Sequence, residues 1–90
     1  MIENRKNYKD ISFGKYSKVV SQCNFTNCTL MRVGGIVFDR CNFENCKFTG
    51  EATFKFCNIR CTEDLVPKNY KLEKSNLHII TEDEVSPENE

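Results

Sequence analysis

Four of the six cysteines fall in two pairs, Cys23/Cys28 and Cys41/Cys46, and closely spaced thiols are a common sign of a structural zinc site. Zinc knuckles usually separate paired thiols by two residues at a tight turn, whereas four residues separate each pair in this chain. Ile36 and Ala52 stand where the repeating pattern elsewhere has cysteine. A packing requirement permits that exchange and a metal does not, so the thiols read as compact apolar fillers and the sequence calls for neither metal nor cofactor. A cysteine nucleophile would need a base beside it, and the single imidazole, His78, lies in the apolar run Leu77-His78-Ile79-Ile80. With no phosphate-cradling glycine loop and no paired catalytic acids, the chain reads as a protein that is not an enzyme.

The elements that hold these residues must come from a short chain. Ninety residues make one domain, expected over residues 1–80, and a domain of this size buries only about 60–65% of the surface its unfolded chain exposes. A 39% hydrophobic and 29% charged composition with seven Phe and no Trp fits a folded soluble protein. The N-terminal run Met1-Ile2-Glu3-Asn4-Arg5-Lys6 has no apolar stretch of the kind a secretion signal needs, and no segment is apolar for long enough to span a bilayer. The expectation is a cytoplasmic protein with reduced thiols. Net charge is zero but unevenly spread: residues 1–61 hold ten Lys/Arg against five Asp/Glu, and residues 62–90 hold three against eight. A +5 body is thus followed by a −5 segment, and residues 81–90, with Glu82, Asp83, Glu84, Glu88 and Glu90 around Pro87, read as an acidic disordered tail.

The dominant signal is a five-residue period over residues 23–61. Cys23-Asn24-Phe25-Thr26-Asn27 is followed by Cys28-Thr29-Leu30-Met31-Arg32. After Val33-Gly34-Gly35 come the units beginning at Ile36, Cys41 and Cys46, and after Glu51 those beginning at Ala52 and Cys57. The first position of each unit is small or apolar (Cys23, Cys28, Ile36, Cys41, Cys46, Ala52, Cys57) and the third is large and apolar (Phe25, Leu30, Phe38, Phe43, Phe48, Phe54, Ile59). Neither a 3.6-residue nor a two-residue period continues through this pattern, so it predicts short strand pieces joined by regular corners, with these fourteen residues as the core.

These units resemble the pentapeptide-repeat family, whose loose motif is a small residue, Asn or Asp, Leu or Phe, and two polar residues. Asn24, Asn42 and Asn58 match its second position, while Thr29, Val37, Lys47 and Thr53 depart from it. The resemblance implies an all-β fold, a right-handed quadrilateral β-helix of about two coils, in which four units make one square coil of about 20 residues and coils stack about 4.8 Å apart. Val33-Gly34-Gly35 is then best read as a loop bulging from a corner. The alternative makes Met31 and Val33 a fourth face but leaves the preceding unit too short to turn. With the loop excluded, Phe25 stacks on Phe48, Leu30 on Phe54, Phe38 on Ile59, and Cys46, Ala52 and Cys57 lie beneath Cys23, Cys28 and Ile36. Residues 8–22 and 62–80 are expected to cap the two ends: Ile11-Ser12-Phe13 as a strand over the N-terminal end, Lys18-Val19-Val20 as a partial preceding face, and Lys71-Leu72 with Ser75-Asn76-Leu77-His78-Ile79-Ile80 over the other end after Pro67 halts the register.

Function must then reside on surfaces. The outward positions carry Arg32, Asp39, Arg40, Glu44, Lys47, Lys55 and Arg60, a mixed set leaning basic. The resemblance implies a binding protein that inhibits or modulates a nucleic-acid-handling enzyme, a topoisomerase or a host-defence nuclease complex of phage or bacterial type. Relatives that imitate acidic B-form DNA have acidic bodies, which this body is not. Direct nucleic-acid binding by the basic body is the rival, and a structural module without a partner the second rival. The resemblance also implies a homodimer through the C-terminal end, with Leu72, Leu77, Ile79 and Ile80 as the contact.

Overall fold

In the computed structural model, which describes residues 2–80, the chain winds as a β-solenoid of about four turns. Twelve short strands form it: β1 Asn7–Lys9, β2 Ser12–Phe13, β3 Val19–Ser21, β4 Asn24–Thr26, β5 Thr29–Leu30, β6 Val37–Asp39, β7 Asn42–Glu44, β8 Lys47–Phe48, β9 Ala52–Lys55, β10 Asn58–Thr62, β11 Tyr70–Glu73 and β12 Asn76–Ile80. All pairings are parallel and build three ladders, β1-β4-β7-β10-β12, β3-β6-β9-β11 and β2-β5-β8, which we call the first, second and third sides. The expected acidic tail lies outside the described residues.

Corners explain why so few residues suffice for each strand. Nine of the described non-glycine residues have positive φ, and they stand at the corners: Arg5, Gln22, Arg40, Phe56 and Lys74 before the first side, Asp10, Asn27 and Asn45 after it, and Arg32 after the third side, where Gly50 does the same one turn on. A left-handed residue turns the chain sharply, and Asn and Asp tolerate that region best. The corner N–H is not wasted. Gln22 N, Arg40 N and Phe56 N donate to Asp39, Lys55 and Glu73 carbonyls of the following turn at 2.8–3.0 Å.

The repeats fill the middle of the solenoid, and the flanking segments expected as caps continue the coil beyond them. The stacking register differs from the expectation. Phe25 lies against Phe43, Leu30 against Phe48 and Phe38 against Phe54, while Ile59 follows Phe43 and is itself followed by Leu77. Successive turns are offset by 18 residues from Asn24 to Asn42 and 16 from Asn42 to Asn58, not by about 20. Each turn therefore holds three pentapeptide units plus a short fourth side. The two interruptions are that fourth side. Val33 is not in a bulging loop but fully buried, and its N–H donates to Thr49 O at 2.9 Å while Gly34 and Gly35 make the exposed turn behind it. Gly50 stacks over this spot with φ +95°, where a Cβ would come within 3.1 Å of Gly34 N and Val33 N. The alternative set aside on grounds of chain length is thus the nearer one, because the fourth side needs one inward residue and not a full strand.

The core is built mainly of phenylalanine rings and thiols, with Ile2, Val20, Leu30, Val33, Ala52 and Ile59 among them. Thirteen of the fourteen expected core residues are buried and Ile36 is half-buried, with Ile2, Val20, Val33 and Cys61 added to them. Phe25 and Phe43 stack at 5.0 Å and Phe38 and Phe54 at 5.8 Å along the axis, while Phe38 meets Phe43 edge-on at 5.2 Å across it. Offset and edge-to-face contacts of this kind add to the area buried. Tyr16 closes the fourth side of the first turn, its hydroxyl 2.8 Å from Met31 O and 2.9 Å from Phe13 O. Burial pushes its pKa up to about 12.

Candidate functional site

Thiols come first, because they carry the most reactive chemistry in the chain. All six are free and buried. Cys23, Cys41 and Cys57 stack along one corner, and each donates its S–H to main-chain carbonyls: Cys41 Sγ to Val20 O at 3.4 Å, Cys57 Sγ to Phe38 O at 3.2 Å. Cys46 does the same with Phe25 O at 3.5 Å, in the column begun by Cys28. Cys46 lies in register with Cys28, and Ala52 with Ile36, contrary to the expected pairs with Cys23 and Cys28. Burial pushes the Cys46 thiol up to about 12, and the hydrogen bond with Cys57, followed by burial, pushes Cys41 up. Burial and then the charge of Asp64 raise Cys61. The same hydrogen bond with Cys41 holds the Cys57 thiol down, but all six thiols are buried, and a thiol shut away from solvent is a poor nucleophile.

Two outcomes follow. Folded protein should be inert to a thiol reagent near neutral pH, and denatured protein should take up six labels and release no stoichiometric zinc. Because the folded-state pKa of Cys46 lies above its unfolded value, its contribution to stability is intact below about pH 8.5 and is lost as the pH rises further. The melting temperature should therefore fall in alkali. Rapid labelling of native protein at neutral pH would overturn the packing account.

Outward residues form the remaining candidates. On the first side, Asn7, Asn24, Asn42, Asn58 and Asn76 stand in register and join amide to amide, each Nδ2 donating to the preceding Oδ1 at 2.7–3.2 Å. Lys9, Thr26, Glu44, Arg60 and His78 make a second, parallel column two residues on. Between the columns runs a groove of about 520 Å³ along the backbone of Phe25, Phe43 and Ile59. The amide ladder stabilises the stack cooperatively, in the manner of Asn ladders in other stacked sheets.

The seven residues expected to form one binding surface do not lie together. Glu44 and Arg60 sit on the first side, Asp39 and Lys55 on the second, Lys47 on the third and Arg32 on the fourth, with Arg40 at a corner. The contacts among them include Arg40 to Asp39 at 3.4 Å, while Lys55 pairs with Glu73 at 3.8 Å. Two features escaped the sequence. Phe56 is 46% exposed at its corner, with the Arg40 guanidinium 5.7 Å and the Lys74 ammonium 5.8 Å from its ring. The fourth side and its flanks carry Lys15, Lys18, Arg32 and Lys68 against Glu51 and Asp64, the last two lining one depression with Lys68.

The ends differ most. At the C-terminal end, Tyr70, Leu72, Leu77 and Ile79 occupy inward positions, in register with buried Ala52, Phe54, Ile59 and Cys61. No further turn covers them among the described residues, and Tyr70, Leu72 and Ile79 are 39–41% exposed. Of the expected dimer contacts, Leu72, Leu77 and Ile79 face this end. Ile80 pairs with Thr62 on the outward side, and Tyr70 belongs to the end although the sequence reading passed it over.

Fold and surface together define a β-solenoid whose interior is filled by its own side chains and whose first side carries a ladder of asparagine amides. Compared with known proteins, the chain matches no family model, no curated protein and no solved structure. No helix among the described residues is long and apolar enough to cross a membrane.

Proposed function

We propose that this chain is a non-enzymatic binding protein of the pentapeptide-repeat type that docks through its C-terminal end, which no further turn of the described residues covers, first of all onto a second copy of itself. The carrying observation is the exposure of inward-register residues Tyr70, Leu72 and Ile79 at that end. Burying one large apolar side chain is worth about 1.5–3 kcal/mol, and a two-fold contact doubles each gain. Beyond the dimer, the repeat pattern favours a nucleic-acid-handling enzyme as the partner, with its activity inhibited or modulated. A second reading, direct binding of nucleic acid, draws on the cations Lys15, Lys18, Arg32 and Lys68 of the fourth side.

Light scattering at micromolar concentration should give twice the chain mass of 10.5 kDa, and Ile79→Lys should return it to 10.5 kDa. A wild-type protein that stays at the single-chain mass would defeat the docking account. The purified protein added to a topoisomerase reaction should slow it, and retention on DNA that fades steeply with salt would favour the second reading instead.

A further inference from the structure

Every turn of a solenoid offers the same columns to the next turn, so its two ends are complementary by construction. In this chain the amide ladder begins at Asn7 and finishes at Asn76. A second copy stacked head to tail on β12 would bring its Asn7 after Asn76, its Tyr8 after Leu77 and its Lys9 after His78, repeating the register in which β4 follows β1. On the second side, β11 is the last strand and β3 the first, so the same step would set one ladder against the other there. Nothing in this geometry limits the number of copies.

The N-terminal segment does. Ile2 is 6% exposed and sits in the core cluster over the first turn. Glu3 N donates to the Tyr8 hydroxyl at 2.8 Å, and Cys23 Sγ donates to Glu3 O at 3.2 Å. Asn4 and Arg5 occupy the edge of β3: Ser21 N donates to Asn4 Oδ1 at 2.9 Å and Arg5 N to Ser21 O at 3.1 Å. The apolar top and part of the strand edge are therefore taken by the chain itself, while at the opposite end no further turn of the described residues covers Tyr70, Leu72 and Ile79.

We propose that the segment Ile2–Arg5 masks a second self-binding surface, the first turn of the solenoid, whose fitting partner is the C-terminal end of another copy of this chain. This rests on the proposed docking role of the C-terminal end, and it explains why docking stops at two copies. Contacts between like ends close, whereas contacts between unlike ends continue into a filament, and an unpaired strand edge is the usual template for such growth.

The full-length Ile2→Lys variant unseats the mask without removing residues. Its mass by light scattering should climb with concentration, and the product should be a fibre with a 4.7–4.8 Å axial repeat, the spacing of stacked strands. The double variant Ile2→Lys/Ile79→Lys, which also spoils the open end, should not polymerise. A mass that remains that of the wild type, or fibres that Ile79→Lys does not abolish, would overturn the proposal, the latter because general misfolding needs no open end. The dimer reading is judged separately by the wild-type mass, so a monomeric wild type with a fibre-forming, Ile79-dependent variant defeats that reading and leaves the mask standing.

Discussion

Phe38→Ala should lower the melting temperature by more than about 12 °C, while Cys46→Ala leaves it within a few degrees of the wild type. Phe38 is completely buried and meets five other rings, those of Tyr16, Phe25, Phe43, Phe48 and Phe54. Truncating a buried Phe costs about 3–5 kcal/mol through lost burial and the cavity left behind. A domain of 60–100 residues loses roughly 4–8 °C for each kcal/mol, which gives the expected fall. The hole cannot be closed cheaply, because the surrounding rings are held by parallel ladders on several sides and cannot slide without breaking main-chain hydrogen bonds. At Cys46 the change removes one sulfur and a weak S–H donor to Phe25 O, leaving a methyl group of the kind Ala52 already supplies in another column. Thermal denaturation followed by circular dichroism measures both. Equal melting temperatures would mean that Phe38 is not the centre of the core.

What the sequence made legible was whatever repeats. A small residue and a large one at positions one and three of each unit follow directly from strand alternation and a narrow interior, and all the residues so chosen except the half-buried Ile36 are buried. The stacking partners were not legible, because a pentapeptide says which way a side chain points and not how many units make a turn. Counting between interruptions would have answered it: Ile36, Cys41 and Cys46 are three units bounded by Val33-Gly34-Gly35 before and Glu51 after. An irregularity that returns after three units is part of the turn. Cys61 was missed for a related reason. Its place at the end of a unit made it outward, but β10 runs straight through five residues without a corner, so Ile59 and Cys61 alternate inward together.

The surface was legible only as composition. Arg32, Asp39, Arg40, Glu44, Lys47, Lys55 and Arg60 were rightly read as outward, but which share a side depends on the turn length, and with the wrong turn length they merge into one imaginary patch. The exposure of the C-terminal end depends on where the coil stops. Leu72, Leu77 and Ile79 could be picked out as apolar residues beyond the repeats, whereas Tyr70 stood out only once its pairing with Ala52 placed it on the open end.

The fourth side makes the sharpest prediction about register. Val33→Asp should destabilise the protein by about 3–5 kcal/mol at neutral pH, the range for an uncompensated charge left in the interior. Val33 has no exposed surface, and the inward side of its turn is closed by the core cluster, so an aspartate there finds neither water nor a cation. Burial would raise the carboxyl pKa of the folded state above the unfolded value of about 3.9. The deficit relative to the wild type is therefore small at acid pH, where the group is protonated in both states, and widens as the pH rises through the interval between the two pKa values. Denaturant titrations at several pH values would trace that widening. If residues 33–35 formed a loop outside the coil, the same substitution would lie within about 0.5 kcal/mol of the wild type at every pH, as surface changes usually do. The neighbouring Gly34→Asp change supplies the internal control, since Gly34 is exposed and a Cβ there meets nothing within 4 Å. A large loss at position 33 beside a small one at position 34 is what a one-residue inward side requires.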